Sequence, residues 1–224
     1  MTIIAGLILS GMFYATEPIA KKNAAVFKKR AILSSIGSML ENPLAQMSDD
    51  DVMELFNTKM EQKVLNMNGE VAQTEIKAEN LSLAAEAKKD EASRKLPLFT
   101  FDSKEGKVNI IAVYGNGLWD KVWGYIALKA DNKTIAGTSF DHKGETPGLG
   151  AEIKDDPTFS YRFIGKTIMD KAGKYTSVQV VKKVNNAEHE VDGIGGATLT
   201  GNGVSEMLNR GIKYYLPYFE KNKN

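Results

Sequence analysis

The chain has 224 residues, 25% of them charged and 42% hydrophobic, with a formal net charge of +1. This is the composition of one folded domain with appendages, and the balanced charge gives no push toward nucleic acid. Cysteine is absent and His142 and His189 are the only histidines, which excludes disulfides, thiol chemistry, Cys-ligated zinc or iron–sulfur centres and a His-rich metal site. Redox work would therefore need a bound organic cofactor.

Residues 1–16 carry no charged side chain and include Ile3-Ile-Ala-Gly-Leu-Ile-Leu-Ser-Gly-Met-Phe-Tyr-Ala. A spanning helix needs about 20 apolar residues, so the stretch reads as the C-terminal part of a transmembrane helix whose start lies upstream of Met1. A buried core helix is the alternative; the basic start and cleavage site of a signal peptide are not evident. Beyond Glu17-Pro18 comes a basic amphipathic helix with Val26, Phe27, Ile32, Leu33 and Ile36 on its apolar face, ended by Gly37 and Pro43. Its five basic residues, Lys21, Lys22, Lys28, Lys29 and Arg30, place this side in the cytoplasm by the positive-inside rule.

Ser48-Asp-Asp-Asp opens a second helix, predicted to run to about Met67. Ser48 is a good N-cap and the acids suit the first turn; adjacent acids there point in different directions, which favours capping over metal binding. Residues 71–76 read as a short strand, and residues 81–94, rich in Ala, Glu and Lys, as a solvated helix or surface excursion.

From Pro97 the pattern turns to β. Leu98-Phe-Thr-Phe, Val108-Asn-Ile-Ile-Ala-Val-Tyr, Val122-Trp-Gly-Tyr-Ile-Ala-Leu and Thr134-Ile-Ala-Gly-Thr-Ser-Phe are four strands with turn residues between them. Short connections mean antiparallel pairing. The fold class is α+β: a mostly antiparallel sheet flanked by helices and preceded by an N-terminal membrane helix. Tyr114-Gly-Asn-Gly-Leu-Trp119 is placed to shape a ligand pocket, while Trp119 and Trp123 read as core or edge aromatics. Residues 161–168 supply a further helix or strand, and residues 177–184 a last strand.

Two dense loops remain. Gly144-Glu-Thr-Pro-Gly-Leu-Gly150-Ala-Glu152 demands a specific backbone path but is no P-loop, because no Gly-Lys-Ser/Thr follows. The plain reading is an elaborate turn into a helix begun at Ala151, with Glu152 as a first-turn acid. The second loop, Asp192-Gly-Ile-Gly-Gly-Ala-Thr198-Leu-Thr200-Gly-Asn-Gly, precedes a helical run with Val204, Met207, Leu208, Ile212 and Tyr215 on one side. Thr200 is the expected N-cap, which puts Thr198 just ahead of a helix N-terminus suited to a phosphate. Gly195, Gly196 and Ala197 would let that phosphate approach the backbone closely. On local chemistry alone, a glycine-rich turn that merely caps a helix serves equally well.

Together these loops resemble the covalent-FMN domain family of respiratory redox pumps. Its members include the C subunits of Na+-translocating NADH:quinone oxidoreductases and, in looser form, the G subunits of ferredoxin:NAD oxidoreductase (Rnf) complexes. Gly115-Asn-Gly-Leu-Trp119, Gly124-Tyr-Ile-Ala-Leu128 and the segment 27–36 bring the chain closer to the C subunits. The resemblance covers essentially the whole chain. It implies FMN esterified through its phosphate to Thr198, the last residue of a Ser/Thr-Gly-Ala-Thr motif in which Gly195 replaces the usual hydroxyl residue. It also implies that a flavin transferase makes this bond from FAD, reading a motif that Asp192 opens. Glu145, Thr146, Gly148, Leu149 and Gly150 would then line the ring or phosphate, with Leu149 over a ring face. Gly195, Gly196, Ala197, Leu199 and Thr200 would surround the tether, Thr200 as phosphate contact or helix cap.

By the same resemblance, residues 1–16 are the membrane anchor, 17–96 a membrane-proximal region and 97–224 the FMN-binding domain, with 17–224 as one folded unit. The implied function is single-electron transfer in a Na+-translocating NADH:quinone oxidoreductase, of which this chain is one catalytically incomplete part. The implied partners are other membrane subunits, the flavin transferase and membrane lipid, with no nucleic acid. The implied location is the bacterial inner membrane, single-pass, with the soluble domain in the periplasm, against the positive-inside reading. Two alternatives stand beside it: a G subunit of the Rnf type, and a membrane-tethered binding or scaffold protein whose Thr198 is never modified.

Overall fold

The computed structural model describes residues 2–223. Met1, the first residue of the expected anchor, and Asn224, the last of the expected FMN-binding domain, lie outside them. Helix α1 (Thr2–Ser34) runs 33 residues without a break, through Pro18. The two separate segments expected on either side of Glu17-Pro18 are thus one helix. Proline removes a single ladder hydrogen bond, and the chain continues past it. The helix stops at Ser34, short of Gly37 and Pro43, where the amides of Ser35 and Ile36 turn back to the carbonyls of Ile32 and Leu33.

The two halves of α1 differ sharply. Ile3, Leu7, Leu9, Phe13 and Tyr14 are exposed, whereas Val26, Lys29, Ile32 and Leu33 are buried. The basic run is drawn into this packing. Lys29 pairs with Glu79, donates to Asn57 Oδ1 at 2.8 Å and lies 4.3 Å from the centre of the Phe56 ring. Arg30 donates to the carbonyls of Leu44 and Met47 at 3.0 and 2.8 Å and meets Asp49 at 2.8 Å. Lys28 reaches the Leu81 carbonyl at 2.9 Å.

Helix α2 (Asp49–Lys59) begins as expected. The Ser48 hydroxyl accepts from the Asp51 amide at 3.2 Å, and the Asp51 carboxylate accepts from the Ser48 amide at 2.9 Å. It does not reach Met67, because β1 (Met60–Leu65) follows at once and pairs antiparallel with β2 (Leu96–Ser103), Met60 opposite Phe101 and Leu65 opposite Leu96. The spacing of Met60, Val64 and Met67 suits a helix, but pairing with β2 outweighs that local preference. The strand expected at 71–76 does not form; only Val71 bridges back to Leu65. Residues 81–94 are the expected excursion, with the short helix α3 (Leu83–Glu86) and turns.

The sheet continues with β3 (Gly106–Asn116), β4 (Lys121–Leu128) and β5 (Ile135–His142) in the order β1-β2-β3-β4-β5, every pair antiparallel. These are the four predicted strands plus β1. Short helices α4 (Glu152–Asp155) and α5 (Pro157–Tyr161) come next. Residues 162–168 then form turns with a single bridge between Thr134 and Thr167, and not the expected helix or strand. The last predicted strand shortens to β6 (Gln179–Val181), which pairs parallel with β7 (Glu190–Asp192). Helices α6 (Thr198–Lys213) and α7 (Leu216–Lys221) close the chain.

Both faces of the large sheet are covered, which is why its strands read as nearly continuous apolar runs. Leu98, Ile111, Val113 and Ile126 point to α6, where Val204, Met207, Leu208 and Ile212 are buried, and to the buried Tyr215 just past its end. Their neighbours Phe99, Ile110, Ala112 and Tyr125 point the other way, to Val26, Ile32, Leu33, Val52 and Phe56 of α1 and α2. Each such large apolar side chain contributes about 1.5–3 kcal/mol by leaving water. The Tyr215 hydroxyl ties the end of α6 to the sheet: it lies 2.9 Å from the Pro97 carbonyl and accepts from the Ala112 amide at 3.2 Å. Helix α6 is thereby held against β3 along its length, and its N-terminus is carried to the ends of β3 and β5.

Candidate functional site

Both glycine-rich loops meet at the start of α6. The N-cap is Ala197, with φ −113° and ψ 36°, and no side chain caps the helix. Its carbonyl accepts the first helical hydrogen bond, from Gly201 at 3.0 Å. Thr198 is therefore the first residue of the helix, not a residue ahead of it, and Thr200 is not the cap. The reason lies elsewhere in the fold: the Thr200 hydroxyl is buried and donates to Glu145 Oε2 at 2.5 Å. Thr198 and Leu199 are exposed. Gly196 takes the left-handed conformation, φ +77°, and a Cβ there would lie 2.7 Å from Leu149 Cδ2, so the two loops touch at this residue. Gly195 has no neighbour within 4 Å of a Cβ built on it.

Glu145 is the centre of the arrangement. The residue is 4% exposed. Besides Thr200, it accepts from the Trp119 amide at 2.9 Å and the Asp120 amide at 3.4 Å, both through Oε1. Its own amide donates to His142 Nδ1 at 3.1 Å. Burial pushes the Glu145 carboxyl up, but the hydrogen bonds from Thr200, Trp119 and Asp120, with His142 nearby, outweigh it and hold the group below its usual value. Glycines make the space. A Cβ on Gly117 would collide with Glu145 Oε1, and one on Gly150 with Glu145 Oε2 and, at 2.5 Å, with Thr200 Oγ1.

The rest of the 144–152 loop is local. Thr146 is exposed, and its carbonyl accepts from the amides of Leu149 and Ala151, each at 3.1 Å. Gly148 has φ +73° and donates to Glu152 Oε1 at 3.1 Å. Ala151 is the N-cap of α4, as expected. Leu149 is 41% exposed beside Gly196. Trp119 is 70% exposed on the turn between β3 and β4, against the expectation of a core or edge aromatic; its backbone is held by Glu145 while its ring stands in solvent.

An open cleft of about 980 Å³ runs from the 193–198 loop along α6, past Asn202, Ser205 and Asn209, and is bounded on the other side by residues 179–182. Residues that the sequence did not single out hold its walls in place. Arg162 donates to the carbonyls of Asp192 and Gly193 at 2.9 and 3.0 Å, clamping the start of the loop; the Asp192 side chain itself is exposed. Ser205 accepts from the Val180 amide and donates to the Gly201 carbonyl, both at 2.9 Å, joining β6 to α6.

These residues fit a flavin mononucleotide attached through its phosphate. The first turn of a 16-residue helix has no side-chain cap, so its amides and positive dipole end are suited to an anion. An exposed hydroxyl stands at that turn, and the cleft beside it is of the size that holds drug-sized ligands, about 300–1,000 Å³. Among the described residues no cluster suited to a metal ion occurs.

Comparison with known proteins points to the same cofactor. Residues 117–213 match the model of the FMN-binding domain family. The chain is 34% identical over 230 residues to the C subunit of the Na(+)-translocating NADH-quinone reductase of Pseudomonas aeruginosa, covering 92% of this chain and 85% of that one. It is 30% identical over 247 residues to the protein of the same name from a serogroup A strain of Neisseria meningitidis, covering 100% and 91%. Among solved structures, the crystal structure of the corresponding C subunit from Parabacteroides distasonis superposes with a TM-score of 0.78 at 35% identity, over 89% of this chain and 94% of the other.

Proposed function

Because the chain belongs to the family of Na(+)-translocating NADH-quinone reductase C subunits, we propose that it carries FMN as a phosphoester on Thr198 and serves as an electron-transfer component of such a complex. The observation that carries this reading is the division of labour between two nearby hydroxyls: Thr200 is buried and bonded to Glu145, while Thr198 is exposed at the uncapped start of α6. Only Thr198 is free to act as acceptor. In the attachment step Thr198 Oγ1 displaces AMP from FAD at the flavin-side phosphorus: one P–O bond forms, the anhydride P–O bond breaks, and the hydroxyl proton is released. A separate flavin transferase is the partner for that step.

The amides of the first turn of α6 would receive the phosphate, with Gly196 and Gly195 leaving room for it and Leu149 and Leu199 as apolar cover at its sides. A helix N-terminus favours a negative group by about 0.3–1 kcal/mol. Bound there, FMN supplies one-electron transfer between cofactors of neighbouring subunits. A tethered flavin stays with the chain, which suits a relay and not a diffusing co-substrate.

The exposed half of α1 is the membrane anchor in this reading. An 18-residue window of the helix has mean hydropathy 1.5 and none of it is buried; at 1.5 Å per residue it extends about 27 Å, close to the hydrocarbon thickness of a bilayer. We place residues 17–224 outside the bilayer as one folding unit, on the periplasmic side of the bacterial inner membrane. The basic run does not oppose this placement, since Lys22, Lys28, Lys29 and Arg30 each have a partner in the soluble part of the chain.

The test is the intact mass of the denatured chain after co-expression with the transferase, beside Thr198→Ala. A gain of one FMN less one water in the parent and none in the variant supports the tether. No gain in the parent, with a transferase active on a control substrate, sinks it.

A further inference from the structure

We propose that Glu145 is a positioning residue: it does not meet the cofactor but staples the Trp119 turn to the first turn of α6, and so fixes how Thr198 is presented. This rests on the reading of Thr198 as the FMN acceptor, but the staple itself is read from the geometry. The carboxylate has no free side to offer. Oε2 is taken by the Thr200 hydroxyl, and Oε1 by the amides of Trp119 and Asp120. With 4% exposure and with the backbones of Gly117 and Gly150 against its two oxygens, no ligand atom fits beside it. Its main chain is anchored as well, through His142 Nδ1.

Among the described hydrogen bonds, no other links the Trp119 turn to the first turn of α6. The turn after β3 carries an exposed indole, and α6 begins without a side-chain cap of its own. An uncapped first turn frays readily. Here the third residue of the helix is held by a bond from 55 positions away, and Thr198 lies in the same turn. A charge-assisted hydrogen bond is roughly twice as strong as a neutral one, so an ionised carboxylate suits a structural clamp. The same negative charge would repel a phosphate if it faced one, which is a second reason to assign Glu145 to the frame and not to the ligand. The glycines of Gly115-Asn-Gly117 and Gly148-Leu-Gly150 gain an explanation on this basis: at Gly117 and Gly150 they clear space for a carboxylate, not for a nucleotide.

The experiment uses the full chain in detergent, with Glu145→Ala, Glu145→Gln, Thr200→Val and, as a variant loosened elsewhere, Ser48→Ala. Two readouts are taken: the initial rate of FMN incorporation from FAD by the transferase, and amide hydrogen exchange of the unloaded chain over residues 115–120 and 196–201. Glu145→Ala is expected to slow incorporation about tenfold and to speed exchange in both segments, the effect of losing buried hydrogen bonds. Thr200→Val is expected to do the same at the α6 segment. Glu145→Gln retains an acceptor for the Trp119 amide and a donor toward Thr200 Oγ1, so it should restore both readouts to near the parent, as should Ser48→Ala.

Equal exchange and equal rates in the parent, Glu145→Ala and Thr200→Val would overturn the proposal. So would a Gln variant that loses incorporation as Ala does while its exchange stays at the parent's, since a group that acts by its charge on the cofactor, and not by position, gives that result. If Glu145→Ala does not fold, Thr200→Val and Glu145→Gln decide by the same two criteria. A parent that takes up no FMN contradicts the Thr198 reading alone; the exchange data then judge the staple separately.

Discussion

The N-terminus of α2 is closed by its own side chains, and that of α6 is left open. At α2, Ser48 and Asp51 bond each other's amides in a capping box, so the orphan donors of the helix are met within four residues. At α6 the N-cap is alanine, and the threonine placed to help instead turns inward to Glu145. The first arrangement serves folding alone. The second leaves amides and a hydroxyl facing a cleft and takes its order from a distant carboxylate, which is what a ligand-bearing helix start requires.

The comparison can be broken most strongly at Gly150. A Cβ there collides with Glu145 and Thr200, so Gly150→Ala should cost about 1–3 kcal/mol by overpacking and lower FMN incorporation as well. Urea unfolding and intact mass measure the two effects; an Ala variant with parental stability and loading would show that the cradle yields easily. Next in size is the exchange of roles between the two helix starts. Ser48→Ala should lose about 1 kcal/mol in urea unfolding with full FMN incorporation. Thr198→Ala should stay within about 0.5 kcal/mol of the parent, as exposed substitutions do, and lose incorporation altogether. Matching effects in both assays would erase the distinction between a structural and a functional helix start.

What the sequence disclosed follows the range of the interactions. Strands β2–β5 were readable because each is a run of apolar residues buried on both faces between turn residues. The Ser48 cap was readable because its partner is three positions away. Strand β1 was not, since the spacing of Met60, Val64 and Met67 also describes a helix and its strand identity comes from β2. Thr200 looked like a cap for the same reason that Ser48 did, and only the fold shows its hydroxyl committed to Glu145. Arg162 and Ser205 gave no local signal at all: they act on backbone groups of Asp192, Gly193, Val180 and Gly201, contacts that side-chain pattern does not encode. Of the expected site residues, the fold brings Glu145, Leu149, Gly150, Gly196 and Thr200 together at α6, whereas Thr146 and Gly148 serve the turn into α4.

The smallest effect is expected at Gly195. Nothing lies within 4 Å of a Cβ there, and the residue is not in the left-handed region, so Gly195→Ser should leave unfolding unchanged within about 0.5 kcal/mol and raise the rate of FMN incorporation. A slower rate would mean that the open glycine itself helps the transferase.

The most direct measurement is fragment-ion mapping of the flavin-bearing peptide, since one peptide contains both candidate hydroxyls. The account predicts that the FMN phosphoester lies on Thr198, with Thr200 unmodified. FMN on Thr200 would contradict it, because that buried hydroxyl would then have to leave Glu145 and the first turn of α6 would have to open.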